Sequence, residues 1–525
     1  MLSWGLIIAL VAILLFILLF MTLGDGLLKE AAQTMGVDGE SYSVIPDSRA
    51  ALYGGGSSKH RPAYVPEKAH FVELHKGFDI NLMGKAELPK GGVIPTVIGG
   101  VYAVKMADFV AMAAMPKVLP EIGSHVKAGD ALFFDKTQPE IVYAAPVSGI
   151  LLDVVRGDKR AITAVLIQAD EAQVYRHFNL PDLATVSRED LVDFLLESGA
   201  WALMRQRPYD TVANPAQVAK AIFISTFDTA PLAPNLDFAL QGNETAFAKG
   251  LEVLTKLTTG GVHLGLNANG DAATAYGDIH VKGVEHHWFK GQHPAGNVGV
   301  QIHHVSPINA GEAVWYLDVH AVITLGKLFN LGVFDTAKVI AVAGADLAAP
   351  TYMRVHQGVA IETLALQFKG DATNVRYVSG DALSGTKTSA DSHLAFYDDQ
   401  ITVLQEGNYA EIFGWLLPQK GHPTISRTFP GGFFPDAQYE ADTQTNGEKR
   451  AFVMSGQYES VLPMDILPQF LFRAIMSNDL EAMEGLGLLE LSEEDVAVCE
   501  YVCTSKQPLQ QMLREGLDYF REQSK

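Results

Sequence analysis

Ala221-Ile222-Phe223-Ile224-Ser225 is a short apolar run of strand type, and Val262-His263-Leu264-Gly265-Leu266 is a second. Between them Ala246 to Leu257 repeats its apolar residues at helical spacing, and upstream Glu189 to Leu196 does the same. Alternation of strand and helix predicts a layered α/β domain, placed at residues 176–335.

Such alternation suggests a Rossmann-like arrangement. A nucleotide site in it would need a glycine-rich turn, so that backbone amides can approach phosphates. The expected place reads Ser198-Gly199-Ala200-Trp201-Ala202-Leu203-Met204-Arg205-Gln206-Arg207-Pro208, with bulky side chains across the turn, and no G-x-G-x-x-G occurs anywhere. Gly380-Asp381-Ala382-Leu383-Ser384-Gly385-Thr386-Lys387-Thr388 comes near a P-loop. That motif requires Lys directly after the second Gly; here Thr386 intervenes, and the segment is expected to be an ordinary loop.

Working outward, residues 71–175 alternate short β-type runs with Gly and Pro. Gly123-Ser124-His125-Val126-Lys127-Ala128-Gly129-Asp130-Ala131-Leu132 and Ala145-Pro146-Val147-Ser148-Gly149 resemble a lipoyl/biotinyl-type barrel-sandwich hybrid. A working carrier domain presents a modifiable lysine in an M-K-M frame; Phe134-Asp135-Lys136-Thr137-Gln138 has none, so Lys136 reads as a surface lysine. Val339 to Gly344 and Tyr352 to Val355 look like strands of a small β-grasp-like domain at 336–405. A connecting segment, 406–455, leads to a helical domain at 456–525. Its last segment carries a one-sided stripe, Leu509, Met512, Leu513, Leu517 and Phe520, behind Pro508.

In that domain Glu493-Glu494-Asp495-Val496-Ala497-Val498-Cys499-Glu500-Tyr501-Val502-Cys503 looks like the end of a C-x₂-C-x₂-C-x₃-C run, with Glu493 and Val496 at the first two ligand positions. A 4Fe–4S cube needs four thiolates, and the chain holds two cysteines in all. Two cysteines a turn apart are also ordinary small core residues. His286, His287, His293, His303 and His304 gather in sequence and invite a zinc reading. No H-E-x-x-H frame accompanies them, and neighbours such as His303 and His304 point to opposite faces if the segment is a strand. No metal site is expected there.

The chain has 525 residues, 48% of them apolar, and a formal net charge of −21. Packed cores are expected, and nucleic-acid binding is not, since no basic stripe stands out to neutralise phosphates. Two cysteines suit a reducing compartment. No charge precedes Asp25, and Leu6 to Met21 is unbroken apolar sequence. A helix from Leu2 to Leu23 would reach ~33 Å, enough to cross a bilayer core. A basic n-region and a clear cleavage site are lacking, which favours a retained anchor at 1–24 over a signal peptide. Lys29 beyond it mildly favours a cytoplasmic C-terminal side. Residues 25–70, with Gly54-Gly55-Gly56-Ser57-Ser58 and Pro46, Pro62 and Pro66, read as a flexible tether.

In their order these pieces resemble the NqrA family, one of the subunits of the bacterial sodium-translocating NADH:quinone reductase (Na(+)-NQR), a membrane respiratory complex. The match runs from about Leu74 to the C-terminus. The blocks that carry the resemblance are Lys76-Gly77-Phe78-Asp79-Ile80, Ala145-Pro146-x-Ser148-Gly149, Arg205-x-Arg207-Pro208, Ala221-Ile222-Phe223-Ile224 and Asp228-Thr229-x-Pro231-Leu232. They continue with His293-Pro294-Ala295-Gly296, Gly326-Lys327-Leu328-Phe329 and Pro463-Met464-Asp465-Ile466-Leu467-Pro468. That family is similar to the electron-entry subunit of the Rnf complex and to the flavin subunit of complex I, which bind FMN at a glycine-rich loop and carry iron–sulfur clusters. The resemblance implies an α+β multidomain chain: barrel-sandwich hybrid, Rossmann-like α/β domain, β-grasp domain of SLBB type and C-terminal helical domain. It implies that Trp201, Met204 and Arg205 stand where the flavin loop had glycines. Cys499 and Cys503 would be the remains of one cluster motif, and Leu462 before Pro463 the place where another ended in Cys. It implies no catalytic, cofactor-binding or metal-ligating residue in this chain.

The complex so implied oxidises NADH, reduces ubiquinone and pumps Na+, using FAD, FMN, riboflavin and an iron–sulfur centre on other subunits. Expected partners are those subunits, the quinone-reducing membrane component NqrB above all. The expected place is the bacterial inner membrane, with a single-pass anchor and the bulk on the cytoplasmic face; a contribution to quinone reduction stays open. One departure stands out: family members generally have no span, so the leading ~70 residues are an addition whose simplest role is tethering. The alternatives are a stand-alone flavin- or NADH-binding electron-input protein related to the Rnf complex, and a His-ligated metalloprotein centred on residues 286–304.

Overall fold

The computed structural model describes residues 61–370, 372–409 and 437–524, together with Ala12, Ile13, Leu15, Phe16 and Leu19. Those five are helical and exposed. The rest of the expected span and the tether as far as residue 60 lie outside the described residues. Among the described residues no helix is long and apolar enough to cross a membrane.

The first strand, β1 (His70–Glu73), belongs to a sheet whose other members come much later. The chain first builds two small antiparallel sheets, a barrel-sandwich hybrid. Its strands are β2 (Val101–Lys105), β3 (Lys117–Val118), β4 (His125–Val126), β5 (Ala131–Asp135), β6 (Gln138–Ala144), β7 (Gly149–Arg156) and β8 (Ile162–Ala169). Sheet order is β2-β8-β7-β4 against β3-β5-β6. Inward residues close the sandwich: Phe133 stacks on Tyr143 with ring centroids 4.8 Å apart, and Phe109 meets Tyr143 edge-on at 4.6 Å. Lys136 lies exposed in the turn between β5 and β6.

Next comes a seven-stranded sheet in the order β1-β13-β12-β11-β14-β9-β10. It uses β9 (Arg205–Arg207), β10 (Thr211–Val212), β11 (Ile222–Ser225), β12 (Val262–Asn267), β13 (Val284–Lys290) and β14 (Val314–Leu317). The strands from β1 to β14 in that order are parallel, and β9 and β10 are added antiparallel. Parallel strands are covered on both faces, which is why β11, β12 and β14 read as nearly continuous apolar runs. Helices α1 (Arg188–Glu197), α2 (Asp237–Leu240), α3 (Glu244–Leu254), α4 (Val298–Val305) and α5 (Val319–Leu331) supply the cover. The strand alternative for His303-His304 is thereby corrected: both lie on α4. The alternating Val298, Val300 and Ile302 look strand-like, but the segment follows the turn at Asn297 and buries these residues together as a helix.

A five-stranded mixed sheet follows in the order β16-β15-β19-β17-β18. Its members are β15 (Ala337–Ala343), β16 (Thr351–His356), β17 (Val375–Ser379), β18 (Thr386–Thr388) and β19 (Gln400–Gln405). Gly380 to Gly385 is the turn of the β17–β18 hairpin. The C-terminal helices are α6 (Tyr458–Val461), α7 (Pro468–Ser477), α8 (Leu480–Gly485), α9 (Glu493–Val502) and α10 (Leu509–Gln523). Leu509, Leu513, Leu517 and Phe520 of α10 bury into a core with Leu471, Phe472, Met483 and Val496, while Met512 packs at its margin.

Candidate functional site

Arg207 at the end of β9 is the buried centre of the molecule's ionic network. Its Nη1 donates to Asp495 Oδ2 at 3.0 Å, its Nη2 to Glu494 Oε1 at 2.8 Å, and its guanidinium lies 5.3 Å from the Tyr316 ring centroid. Two residues earlier, Arg205 pairs with Asp210, which also accepts from Tyr316 Oη. Burial pushes the Asp210 carboxyl up, but Arg205 and Arg207 outweigh it and hold the group below its ordinary value. The rest of the segment faces inward. Trp201 and Met204 are buried, and Trp201 Nε1 donates to Ala213 O at 2.7 Å.

The partner carboxylate, Asp495, belongs to the first turn of α9, where it also accepts from Ser492 N at 2.9 Å. It presses against the first turn of α4: a Cβ at Gly299 would come within 2.4 Å of Asp495 Oδ2, so only glycine fits. Asn297, the residue before α4, turns its Nδ2 away to Glu494 O at 3.0 Å. At α5 the capping residue Asp318 accepts from Ala321 N at 2.7 Å. Helix N-termini bind anions because their first N–H groups are unpaired and the dipole favours negative charge. Both N-termini at this end of the sheet already carry a carboxylate of the chain.

A cavity of about 380 Å³ opens here, at the carboxyl ends of β11 and β14. In an open α/β sheet this is the usual place for a ligand. Asp228, Asp318 and Glu494 reach it from the α/β sheet and α9; Asp108, Asp381, Asp398 and Asp399 reach it from the neighbouring sheets and their turns. Burial and Asp228 push the Asp399 carboxyl up to about 8. Burial and Asp495 push Glu494 up to about 8, against the pull of Arg207. Asp228 rises to about 6 through burial and Asp381, and Asp108 to about 6 through burial. His293 is driven down to about 4 by burial, against Asp381; its Nδ1 lies 3.2 Å from Thr229 Oγ1 and its Nε2 has no partner among the described residues. Clustered carboxyls with raised pKa values mark a functional-site candidate. The lining can hold protons, or accept hydrogen bonds from a neutral or cationic group. A phosphate there would meet seven acidic side chains against one guanidinium, that of Arg205.

A raised folded-state pKa, as in Asp399, means that folding favours the protonated carboxyl. Its stabilisation is complete below the unfolded value of about 3.9 and is lost as pH rises through the folded value of about 8. Urea midpoints should therefore fall between about pH 4 and pH 8 and level off above that. Asp399→Asn, neutral at every pH, should flatten that decline. An unchanged slope in the variant would remove Asp399 as its source.

Other residues noted in the sequence scatter. Cys499 and Cys503 are buried, free thiols: Cys499 Sγ donates to Tyr458 O at 3.8 Å, and Cys503 Sγ lies 2.9 Å from Tyr458 Oη. Burial, reinforced by Glu459, raises the Cys499 thiol far above its ordinary value, so it stays protonated. Glu493, at the first ligand position, pairs with Arg514 at 3.4 Å. His286 Nε2 donates to Ile279 O at 3.1 Å, His304 Nε2 to Pro463 O at 2.8 Å, and His303 Nδ1 pairs with Glu490 at 2.8 Å. The Gly380–Thr388 segment does line the cavity, but through Asp381, Ser384 and Thr386. The sequence reading missed Asp228, Asp399 and Asp495 as a group. The Asp228 block was its one signal.

Three family models match in succession: an NqrA N-terminal barrel-sandwich hybrid domain at residues 72–170, an NqrA second alpha/beta domain at 186–334 and an NQRA C-terminal domain at 339–390. The NqrA protein of the Na(+)-translocating NADH-quinone reductase of Yersinia pestis is 34% identical over 457 residues, 86% of this chain and 100% of the relative. The chain belongs to the NqrA family. The relative from Rhodopirellula baltica is 35% identical over 453 residues, 85% of this chain and 97% of the relative. That from Vibrio atlanticus is 35% identical over 451 residues, 85% and 98%. Among solved structures, an NAD+-reducing NiFe hydrogenase in the H2-reduced state covers 53% of this chain and 60% of its own, with a TM-score of 0.30 and 15% identity; that likeness carries no argument.

Proposed function

We propose that the chain is the NqrA component of a sodium-translocating NADH:quinone reductase and works there without a redox group of its own. Its sheet opens a cavity at the carboxyl ends of β11 and β14, the usual place for a ligand in an open α/β sheet, and the chain's own acids line it. The observation that carries the reading is Asp495, set against the first turn of α4 and paired with Arg207. Of the degenerate cluster run, burial holds Cys499 protonated and Cys503 Sγ is bonded to Tyr458 Oη, whereas ligands must be thiolates. NADH, flavins, an iron–sulfur centre, quinone and Na+ are handled by the other subunits. The chain docks at the cytoplasmic face of the inner membrane, with NqrB as its main contact, and residues 1–24 anchor it there.

Purification from native membranes tests this. The chain should come with the other reductase subunits and, once separated from them, carry neither stoichiometric flavin nor iron. Visible flavin absorbance or a full complement of iron in the isolated chain would overturn the cofactor-free reading. A stand-alone chain without partners would overturn its place in the complex.

A further inference from the structure

On the sheet face covered by α4, three strands bring imidazoles together outside the lining of the acidic cavity. His263 of β12 stands in register with Glu285 of β13, and His287 lies two residues along β13, on the same face. His70 of β1 is in register with His287. His263 Nδ1 and His287 Nε2 are 2.9 Å apart, and Glu285 Oε2 is 3.7 Å from the first and 3.9 Å from the second. The point equidistant from these three atoms lies about 2.1 Å from each, which is the length of zinc bonds to imidazole nitrogen and carboxylate oxygen.

We propose that His263, Glu285 and His287 bind one divalent transition-metal ion, zinc foremost, which ties β12 to β13. Two nitrogens and one carboxylate oxygen suit zinc, and the outward, two-thirds exposed Glu285 (66%) leaves a water position and a path of entry. The outer shell is also present. His287 Nδ1 lies 3.0 Å from Nδ1 of exposed His70, a partner that can fix the ring and its tautomer. Without metal, the short contact between His263 and His287 needs one proton between the rings. With metal, that proton moves to His287 Nδ1, which then donates to His70, and the Nδ1 proton of His70 passes to its solvent-facing Nε2. Ligation requires neutral imidazoles. Both rings are buried, His263 at 7% and His287 at 6% exposed, a setting that favours the neutral form. The sequence hid the set, because its members come from separate strands and only His287 belongs to the run first noticed.

The test uses the full chain, made without a metal-binding tag, stripped by chelator and titrated with zinc alone. One equivalent should bind and survive gel filtration, and cobalt in its place should give the visible absorption of a low-symmetry nitrogen–oxygen site. Glu285→Gln, at an exposed position that should leave the fold intact by circular dichroism, should weaken zinc binding tenfold or more. His287→Gln should abolish it. Failure of the native chain to take up an equivalent, or unchanged binding in a folded Glu285→Gln variant, would overturn the site.

Discussion

Arg207→Ala is expected to lower stability by about 3–5 kcal/mol, the cost of stripping a buried ion pair of one partner. Arg207 and Asp495 both have side chains that are 0% exposed, so the stranded carboxylate cannot turn to water. The same guanidinium also serves Glu494 and helps hold Asp210 ionised. Urea transitions followed by tryptophan fluorescence are a suitable readout, because Trp315 sits on β14 beside β9 and meets Trp201 edge-on at 5.3 Å. Asp495→Ala should cost a comparable amount, and the double variant much less than the sum, since the second change removes a charge already stranded. Arg207→Lys should recover only part of the loss: one ammonium cannot present the planar fork that reaches both carboxylates. A loss below about 1 kcal/mol for Arg207→Ala would put the pair among weak surface bridges.

How far the sequence spoke depended on whether the signal was local. Ile222–Ser225 and Val262–Asn267 announced themselves because a strand buried on both faces must be apolar throughout. The stripe on α10 was legible for the same reason. Sheet order was not. His70–Glu73 pairs with Val284–Lys290 more than two hundred residues later, and nothing in either segment names the other. On α4, β-branched residues left a strand reading open, and packing against the sheet decided for a helix.

The site followed the same rule. A missing glycine turn and missing cysteines could be read off directly, since those motifs are short. What replaced them could not. The bond from Arg207 to Asp495 joins residues 288 positions apart, and each alone is an ordinary charged residue. The Gly380–Thr388 loop was set aside as a failed phosphate loop, yet it borders the cavity with Asp381, a group of the opposite preference. Aspartates gain meaning only when folding gathers them, because their shifted pKa values arise from one another and from shared burial.

Gly326→Ala should bring down the α/β layer for a purely steric reason. Helices α3 and α5 cross with their backbones in contact: a Cβ at Gly326 would lie 1.6 Å from Ala246 O, and one at Gly250 would lie 2.2 Å from Val322 O. Neither glycine has a positive φ, so space and not backbone strain excludes a side chain. In an open helix the same replacement gains about 1 kcal/mol of helix propensity. Here the atom in the way is a backbone carbonyl, which cannot rotate aside, and the helices must separate. Overpacking of this kind costs typically about 1–3 kcal/mol and more where the neighbour is rigid, so a net loss of at least about 3 kcal/mol is expected. Displacing α5 also moves Asp318, its cap at the cavity. Gly485→Ala is the matched control. That residue is helical and a Cβ there meets nothing within 4 Å, so it should be neutral or slightly stabilising. If Gly326→Ala melts with the native chain while Gly485→Ala does the same, the two helices can part at no cost, and the close crossing is not what holds α5 at the cavity.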